Sequence, residues 1–500
     1  MNKITQIMSK DAESFARLSG GRSQVMSMAG QYRALRSEID KKIKEKGYTL
    51  LKVSELSGVN QGHLSMVLNG NPPRPMTVEQ LDKLAAAFGE EPGWLYDLYY
   101  EECFKSGNGK LRSGEERLSN KRVRSYLVRC AELDRLDYIE SIIAKMLDTP
   151  RVALALLYDV AEELYAKGQV QAAVPFYQYV IENEKDNFAE RLIMSHYRMF
   201  RASIGRDAQK NWEAVIAFSP YRKRLQEHLQ LEALHYLGNV CYSLYQWRRA
   251  EQYADELREL ATTVYQYMSR ERKKGNDPKL SPSEFPLVAY YGEGYLMKGN
   301  VLERCKRYTE ALQYVQGYEN LDWFEVVDEA GLAFIEKFKL WARGNLYTLE
   351  VSRGNENAVD PYADYLAEHP AELLPGLNPI LMSASEYGFC VDHVLDRFSK
   401  QICQLKDSGS IIYIERLLNF LYNYATYEFM RQRFDRGIDG ILRCVKLSFL
   451  NNQPGSAYRS MMLFEKYRQY ASEQQRKLYH SITDGSKTLH MYNHGAGLEV

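Results

Sequence analysis

The residues with the clearest chemical potential lie between Thr49 and Gly70, in the stretch TLLKVSELSGVNQGHLSMVLNG. A glutamine carboxamide both donates and accepts hydrogen bonds, so Gln61 could bond an adenine edge at two points, or a phosphate. The candidate binding residues in and beside this stretch are Gln61, Gly62, His63, Ser65, Met66, Lys52, Asn69 and Asn71.

A second set of polar and aromatic residues recurs later in the chain. Gly-Asn occurs at 238–239, 299–300 and 344–345, and an asparagine amide can bond both polar groups of an extended peptide backbone. Arg198 or Arg201 could bind a peptide carboxylate. The predicted peptide contacts are Asn239, Asn300, Asn345, Tyr242, His235, Arg201, Arg198, Tyr165, Trp341 and Tyr422. The alternative, that Gly-Asn serves only helix packing, stays open.

The apolar residues around Gln61 predict the element that presents it. Five positions have the spacing of two short helices packed face to face: Val53, Leu56, Val59, Leu64 and Val67. Gly58 lies where the chain must turn, and Asn60 is a good N-cap for the second helix. We therefore expect a helix after Asn60 with its polar end exposed and Leu64, Val67 and Leu68 pointing inward.

This stretch resembles the helix-turn-helix of the lambda-repressor-like (XRE) family. Tyr32–Lys46 matches the first helix, Thr77–Phe88 the fourth and Gly93–Tyr99 the fifth, and Thr77 with Gln80 can form a capping box. The resemblance implies that the helix starting at Gln61 enters the major groove of DNA, with His63, Ser65 and Met66 facing the groove. It also implies that Asn69 and Asn71 approach the DNA backbone, that Gly62 allows close approach and that Lys52 is a further DNA contact. Alternatives remain: a small helical domain that binds protein, His63 as a plain surface residue, and Asn69 as a helix terminator.

Charge limits how strongly one such domain could bind. The chain has 65 Lys and Arg against 65 Asp and Glu, and residues 31–100 contain nine of each sign. Because phosphate neutralisation supplies most non-specific affinity, a neutral domain binds DNA weakly on its own. We therefore expect a homodimer that holds two domains at half-site spacing on an inverted-repeat operator in double-stranded DNA.

Segments of the C-terminal part repeat a helix–turn–helix design with small residues where helices touch and aromatics above them. The clearest copies are at 157–181, 234–257, 296–315 and 421–442, and 341–366 fits with an inserted turn. Their Gly, Ala, Tyr and Trp positions resemble tetratricopeptide (TPR) repeats, in which each pair covers its neighbour. Most of the 38 Tyr should then be core or groove lining.

These patterns predict an all-α protein, in which a helix-turn-helix domain precedes a right-handed TPR-like superhelix. The predicted parts are an N-terminal arm at 1–30, the DNA-binding domain at 31–104, a basic linker at 105–122 and the repeat domain at 123–500. We expect the repeat domain to bind peptide and to dimerise.

The combination looks like the RRNPP regulators of Gram-positive bacteria and their phages, of which the arbitrium receptors are one branch. This resemblance implies a transcriptional regulator whose array binds a short signalling peptide that modulates DNA binding. The alternative is a TPR scaffold that binds a partner protein, with DNA contact secondary.

Other classes find little support in the sequence. No GxxxxGK[ST], HExxH or GxSxG motif and no paired metal-ligand spacing occurs, so we expect no enzyme, no metal and no cofactor. The seven Cys are scattered without a CxxC pair, which favours reduced thiols in a cytoplasmic protein. No apolar run is long enough to predict a membrane span.

Overall fold

The chain is described here by a computed structural model that covers residues 35–70, 74–104, 119–146, 150–205, 207–276, 283–325, 327–405 and 411–495. It divides into two compact units, residues 1–225 and 226–500. Across these described ranges the regular structure is helical and contains no strand, which confirms the all-α prediction. The predicted arm at 1–30 lies outside the described residues.

The first five helices of unit 1 follow the predicted order. They are α1 (Leu35–Glu45), α2 (Leu50–Ser57), α3 (Gln61–Asn69), α4 (Val78–Phe88) and α5 (Tyr96–Phe104). Gly58 ends α2 with a left-handed backbone (φ 67°), and the Asn60 side chain caps α3. The predicted capping box of Thr77 and Gln80 is also present at the start of α4. The turn at Gly58 and the caps at Asn60 and Thr77 therefore have the geometry that their residue types predict.

Two details of these helices differ from the predictions. Leu56 is 46% exposed, so its assignment to the core is wrong. Ser57 is the buried residue instead, because its hydroxyl donates to the carbonyl of Val53 at 2.6 Å and accepts from the Val59 amide at 3.2 Å. The fifth helix begins at Tyr96 rather than at Gly93, since Leu95 has a left-handed backbone (φ 60°) that no helix can contain.

Unit 1 continues with six more helices and a short 3₁₀ segment. They are α6 (Asn120–Glu132), α7 (Leu136–Met146), α8 (Pro150–Ala166), α9 (Val170–Asn183), α10 (Glu190–Ser203), α11 (Ala208–Phe218) and 3₁₀ Ser219–Arg224. Of the predicted linker 105–122, residues 105–118 lie outside the described part, and 120–122 are already helical.

The apolar core of the helix-turn-helix extends into these later helices. The rings of Tyr96 and Tyr99 lie 5.5 and 5.2 Å from the ring of Tyr126 on α6, and the Tyr126 hydroxyl donates to the Tyr96 carbonyl at 2.8 Å. Asp82 accepts hydrogen bonds from the Tyr96 hydroxyl at 2.7 Å and from Arg129 Nε at 2.8 Å. One continuous core therefore includes α1–α5 and α6–α9.

Unit 2 consists of thirteen helices within its described residues. They are α12 (Glu227–Ser243), α13 (Trp247–Lys273), α14 (Leu287–Arg304), α15 (Tyr308–Glu319), α16 (Glu329–Ser352), α17 (Val359–Glu368), α18 (Leu373–Tyr387), α19 (Asp392–Arg397), α20 (Ser399–Cys403), α21 (Ile411–Met430), α22 (Phe434–Leu450), α23 (Pro454–Tyr467) and α24 (Glu473–Gly495). Short 3₁₀ segments precede α17, α18 and α24.

One turn geometry recurs between the paired helices of unit 2. A residue with a left-handed backbone lies two positions before the second helix in four pairs: Tyr245 (φ 57°), Lys306 (φ 57°), Gln432 (φ 59°) and Asn452 (φ 50°). The next amide bonds to the carbonyl five residues earlier, as from Gln246 to Cys241 at 2.8 Å and from Arg307 to Leu302 at 2.8 Å. This is a Schellman-type helix end, and its recurrence gives the unit a repeating backbone.

Helices of unit 2 contact both their immediate neighbour and the next helix but one. The series α12, α14, α16, α18 and α21 forms one layer of successive contacts, and α13 and α15 pack between its members. Close approach requires glycine: a Cβ on Gly238 would lie 2.1 Å from the sulfur of Met297, and one on Gly294 would lie 2.9 Å from the Arg258 backbone. Small residues therefore set the spacing of these helices, as the repeat pattern predicts.

None of the helices in the described ranges combines the length and apolar character that crossing a bilayer requires. All seven cysteines are free thiols, and four of them, Cys103, Cys130, Cys241 and Cys444, are buried.

Candidate nucleic-acid interface and candidate ligand face

The exposed side of α3 is formed by the residues predicted to contact DNA. Gln61, Gly62 and Asn69 are exposed, and Met66 is 44% exposed. Leu64 and Val67 are buried beneath them, and Leu68 is half-buried. Within the described part of the chain, no side chain bonds to Gln61 or Asn69. Their amides can therefore bond an external partner without first breaking an internal contact.

His63 and Ser65 are less accessible than their neighbours. His63 is half-buried, and its Nε2 lies 3.3 Å from Oε1 of Gln80, the oxygen that also accepts from the Thr77 amide at 3.0 Å. The ring is thus held toward α4. Ser65 is also half-buried. A base contact by His63 would need a side-chain rearrangement that Gln61 does not need.

Gly62 has a local explanation in the cap of α3. A Cβ at this position would lie 3.2 Å from Oδ1 of Asn60, the same oxygen that accepts the His63 amide at 3.1 Å. A larger residue would crowd the capping side chain. Glycine here preserves the cap and also leaves the helix start open to close approach.

Of two further candidate DNA contacts, Lys52 and Asn71, the structure describes only Lys52. Lys52 is exposed on α2 and lies 3.3 Å from Glu55, an exposed pair that solvent screens strongly. Its ammonium group can therefore change partner at little cost. Asn71 lies outside the described residues.

Arg36 and Glu102 are absent from the residues predicted from sequence, although they lie directly behind α3. The Arg36 guanidinium bonds both oxygens of Glu102, at 2.7 and 3.1 Å, and the Glu102 side chain has no exposed surface. Arg36 also donates to the Val67 carbonyl at 2.8 Å. A glutamate in the tyrosine-rich helix α5 is a signal for such a pair, because a buried carboxylate needs a cation.

In unit 1 the predicted peptide residues are already engaged within the chain. Arg198 donates to both oxygens of Glu162 at 3.1 Å, and its guanidinium carbon lies 4.0 Å from the centre of the Tyr165 ring. Arg201 donates to the Tyr197 hydroxyl at 3.1 Å. A peptide carboxylate at Arg198 would have to displace Glu162.

In unit 2 three of the predicted residues also bond within the chain. Asn239 Nδ2 lies 3.1 Å from His235 Nε2. The Tyr242 hydroxyl accepts from Arg304 Nε at 3.0 Å, which links α12 to α14. The first contact lies within α12, and the second joins α12 to α14.

The remaining predicted residues of unit 2 differ in whether their side chains contact other residues of the chain. Asn345 Nδ2 donates to the buried Tyr318 hydroxyl at 2.8 Å, and the guanidinium carbon of Arg459 lies 4.1 Å from the centre of the Tyr422 ring. The Trp341 ring lies edge-on to that of Phe338. Asn300 is half-buried, and no described residue bonds to its side chain. Of the three asparagines, Asn300 is the one whose amide makes no bond within the described residues, although Asn239 is the more exposed.

Two glutamates on α14 share the helix face of Asn300 and are absent from the sequence predictions. Glu293 precedes Asn300 by seven residues and Glu303 follows it by three, spacings that place them on one side of a helix. Burial raises the pKa of Glu293 to about 7, and burial also raises the pKa of Glu303 despite the opposing charge of Arg304. All three side chains on this face of α14 are half-buried, so the face is shielded from part of the solvent.

Comparison with known proteins identifies one part of the chain. A helix-turn-helix family model matches residues 39–95. The protein thus contains an XRE-like helix-turn-helix domain within an all-helical chain, which suggests a DNA-binding transcriptional regulator. No curated protein matches the chain significantly. Among the described residues, no group of three or more His, Cys, Asp and Glu side chains could hold a metal ion.

Proposed function

We propose that the protein is a sequence-specific transcriptional regulator whose C-terminal helices bind a short signalling peptide that modulates DNA binding. The observation that carries the DNA-binding part is α3, a capped helix with Gln61, Met66 and Asn69 exposed above the buried Leu64 and Val67. A polar face braced by an apolar back is what insertion into the major groove requires. Gln61 is the proposed adenine contact.

The helical array is proposed to be a TPR-like superhelix. The recurring left-handed turn residue, the successive contacts of α12, α14 and α16, and the close approach at Gly238 support this proposal. Stacked helix pairs expose one face of the first helix of each pair, and that face is the proposed peptide groove. An asparagine amide offers the donor and the acceptor that the two polar groups of a peptide backbone need.

Peptide binding in this groove is proposed to proceed by exchange of internal partners. In unit 2, Tyr242 would leave Arg304 for a peptide group, whereas Asn300 would bind without such an exchange. In unit 1, considered by itself, Arg198 would have to leave Glu162 to bind a carboxylate. Since the same groups stabilise the free protein, the affinity depends on the difference between the two sets of bonds. Peptide would thereby shift the population of conformations that differ in the separation of the DNA-binding domains.

A homodimer on an inverted repeat is proposed because one neutral domain binds weakly. Exposed cations near α3 such as Lys44 and Lys52 are paired with Asp40 and Glu55, so the net attraction of the domain to phosphate is small. Two domains held one helical turn apart would add their contacts.

Selection of bound duplexes from a random library, followed by footprinting, tests the proposal. An inverted repeat is the expected result. A panel of short synthetic peptides, including any encoded by a small open reading frame beside the gene, is then screened by thermal shift, because a ligand of the native state raises Tm. Absence of DNA binding with and without every peptide would contradict the proposal and would leave the protein-scaffold alternative.

A further inference from the structure

The guanidinium group of Arg36 connects three separate parts of the helix-turn-helix domain. From α1 it donates through Nε to the Val67 carbonyl of α3 at 2.8 Å and through Nη2 to the Arg74 carbonyl at 3.0 Å. Its Nη1 and Nη2 bond the two oxygens of Glu102 on α5 at 2.7 and 3.1 Å. The planar fork of an arginine is the side chain that can make such a set of bonds.

The contacts at Val67 and Arg74 lie where α3 ends. The last four carbonyls of a helix lack intrahelical partners, and Val67 is in the final turn of Gln61–Asn69. The Arg74 amide also donates to the Met66 carbonyl at 3.0 Å. Arg36 therefore binds both the end of α3 and the segment that returns to it, and its charge is favourable beside the negative end of the helix.

Glu102 holds Arg36 in this orientation. Its side chain is completely buried, and its Oε2 also accepts the Met76 amide at 3.3 Å. The neighbouring Tyr99 hydroxyl donates to the Met76 carbonyl at 3.0 Å. Helix α5 thus bonds to both the amide and the carbonyl of Met76, in the segment between α3 and α4. Arg36 connects this arrangement to α3 itself through the Val67 carbonyl.

We propose that Arg36, oriented by Glu102, is a positioning residue for DNA recognition, which sets the placement of α3 without touching DNA. The inference rests on the proposed DNA-binding function. Because Gln61 and Asn69 lie on the same nine-residue helix, a shift of its C-terminal end displaces both from a duplex. A displacement of this kind weakens specific contacts more than the general attraction to phosphate.

The test compares an apolar double variant, Arg36→Met with Glu102→Leu, against the wild-type chain on the operator duplex and on an unrelated duplex. Removing both charges avoids an unpaired buried ion, so the chain should still fold, with a Tm lowered by the loss of partners for the Val67 carbonyl and the Met76 amide. Operator affinity is expected to fall about tenfold or more, with the affinity for the unrelated duplex and the salt slope unchanged. The matched control is Arg124→Met with Glu163→Leu, a pair at 2.7 Å between α6 and α8, which should leave operator affinity unchanged.

Arg36→Lys provides a second measurement that does not depend on the double variant. Lysine retains the charge but lacks the fork, so the operator-to-unrelated affinity ratio should still fall. Wild-type operator affinity in a folded double variant, or a wild-type ratio in folded Arg36→Lys, would overturn the proposal. If the wild-type chain itself binds no duplex, the proposed function fails first, and the two failures are thereby distinguished.

Discussion

Helix α3 in unit 1 and the helices of unit 2 differ in whether their candidate contact residues already form bonds within the chain. On α3, Gln61 and Asn69 are exposed and bond to no described side chain. In unit 2, Asn345 bonds to Tyr318, and Tyr242 bonds to Arg304. Polar groups on an exposed surface are hydrogen-bonded to water in the free protein. A highly charged polymer that binds there supplies hydrogen bonds that replace those to water.

The half-buried polar groups of unit 2 are in a different position. A polar group that leaves water needs an internal partner, or it loses free energy of about 1–3 kcal/mol. Asn345 and Tyr242 are therefore satisfied within the chain, and the proposed peptide would have to offer them equivalent bonds. We expect substitutions on α3 to alter binding without affecting stability, whereas substitutions at the internally bonded residues of unit 2 should affect stability as well.

The strongest test of the α3 half is Gln61→Ala. Loss of a bidentate base contact should weaken operator binding by about 1–3 kcal/mol and relax the preference at one base pair, with Tm unchanged. Competition binding against operator variants measures both. Gln474→Ala, an exposed glutamine on α24, is the matched control. Unchanged operator preference in Gln61→Ala would remove α3 as the base-reading element.

A comparison of Asn345→Ala with Asn300→Ala tests the array half. Tyr318 is 1% exposed, so removal of its donor Asn345 should lower the free energy of unfolding by about 1–3 kcal/mol. Asn300 has no bond within the described residues, and its loss should change stability by at most about 0.5 kcal/mol. Chemical denaturation measures both, and equal effects would contradict the distinction.

The half-buried face of α14 should also make stability depend on pH. The pKa of Glu293 is about 7 in the folded chain and 4.5 in the unfolded one, so the folded state retains the proton longer. The stability contributed by this group is constant below pH 4.5, falls as pH rises toward 7 and stays low above it. Glu293→Gln should therefore stabilise the chain at pH 8 relative to pH 5, by on the order of 1 kcal/mol.

Thermal unfolding at the two pH values measures that difference. Glu319→Gln replaces an exposed glutamate at the end of the neighbouring helix α15 and should show no such difference. If both variants respond alike, the face of α14 is as solvated as an ordinary surface.

The smallest expected effect concerns Lys52. Its partner Glu55 is exposed, so Lys52→Ala should leave Tm unchanged. If Lys52 meets a phosphate, the salt dependence of DNA binding should decrease by about one counterion for each domain. If the salt dependence of DNA binding is unchanged in Lys52→Ala, Lys52 does not contact a phosphate.

Local chemistry made much of the architecture predictable. Gly58, Asn60 and the Thr77–Gln80 capping box act within a few residues, so their roles follow from residue type and spacing alone, and all are present. The segments at 157–181, 234–257, 296–315 and 421–442 do form helix pairs, because amphipathic periodicity is likewise a local property.

Tertiary structure decided which polar groups are left for a ligand. Leu56 has the spacing of a core residue but faces solvent, and His63 has the spacing of a contact residue but bonds to Gln80. Arg36 meets Glu102 across 66 positions, and Arg198 meets Glu162 across 36. Such partners are distant in the chain and are joined only when helices pack. Periodicity tells which side of a helix a residue occupies, whereas packing alone determines what lies opposite.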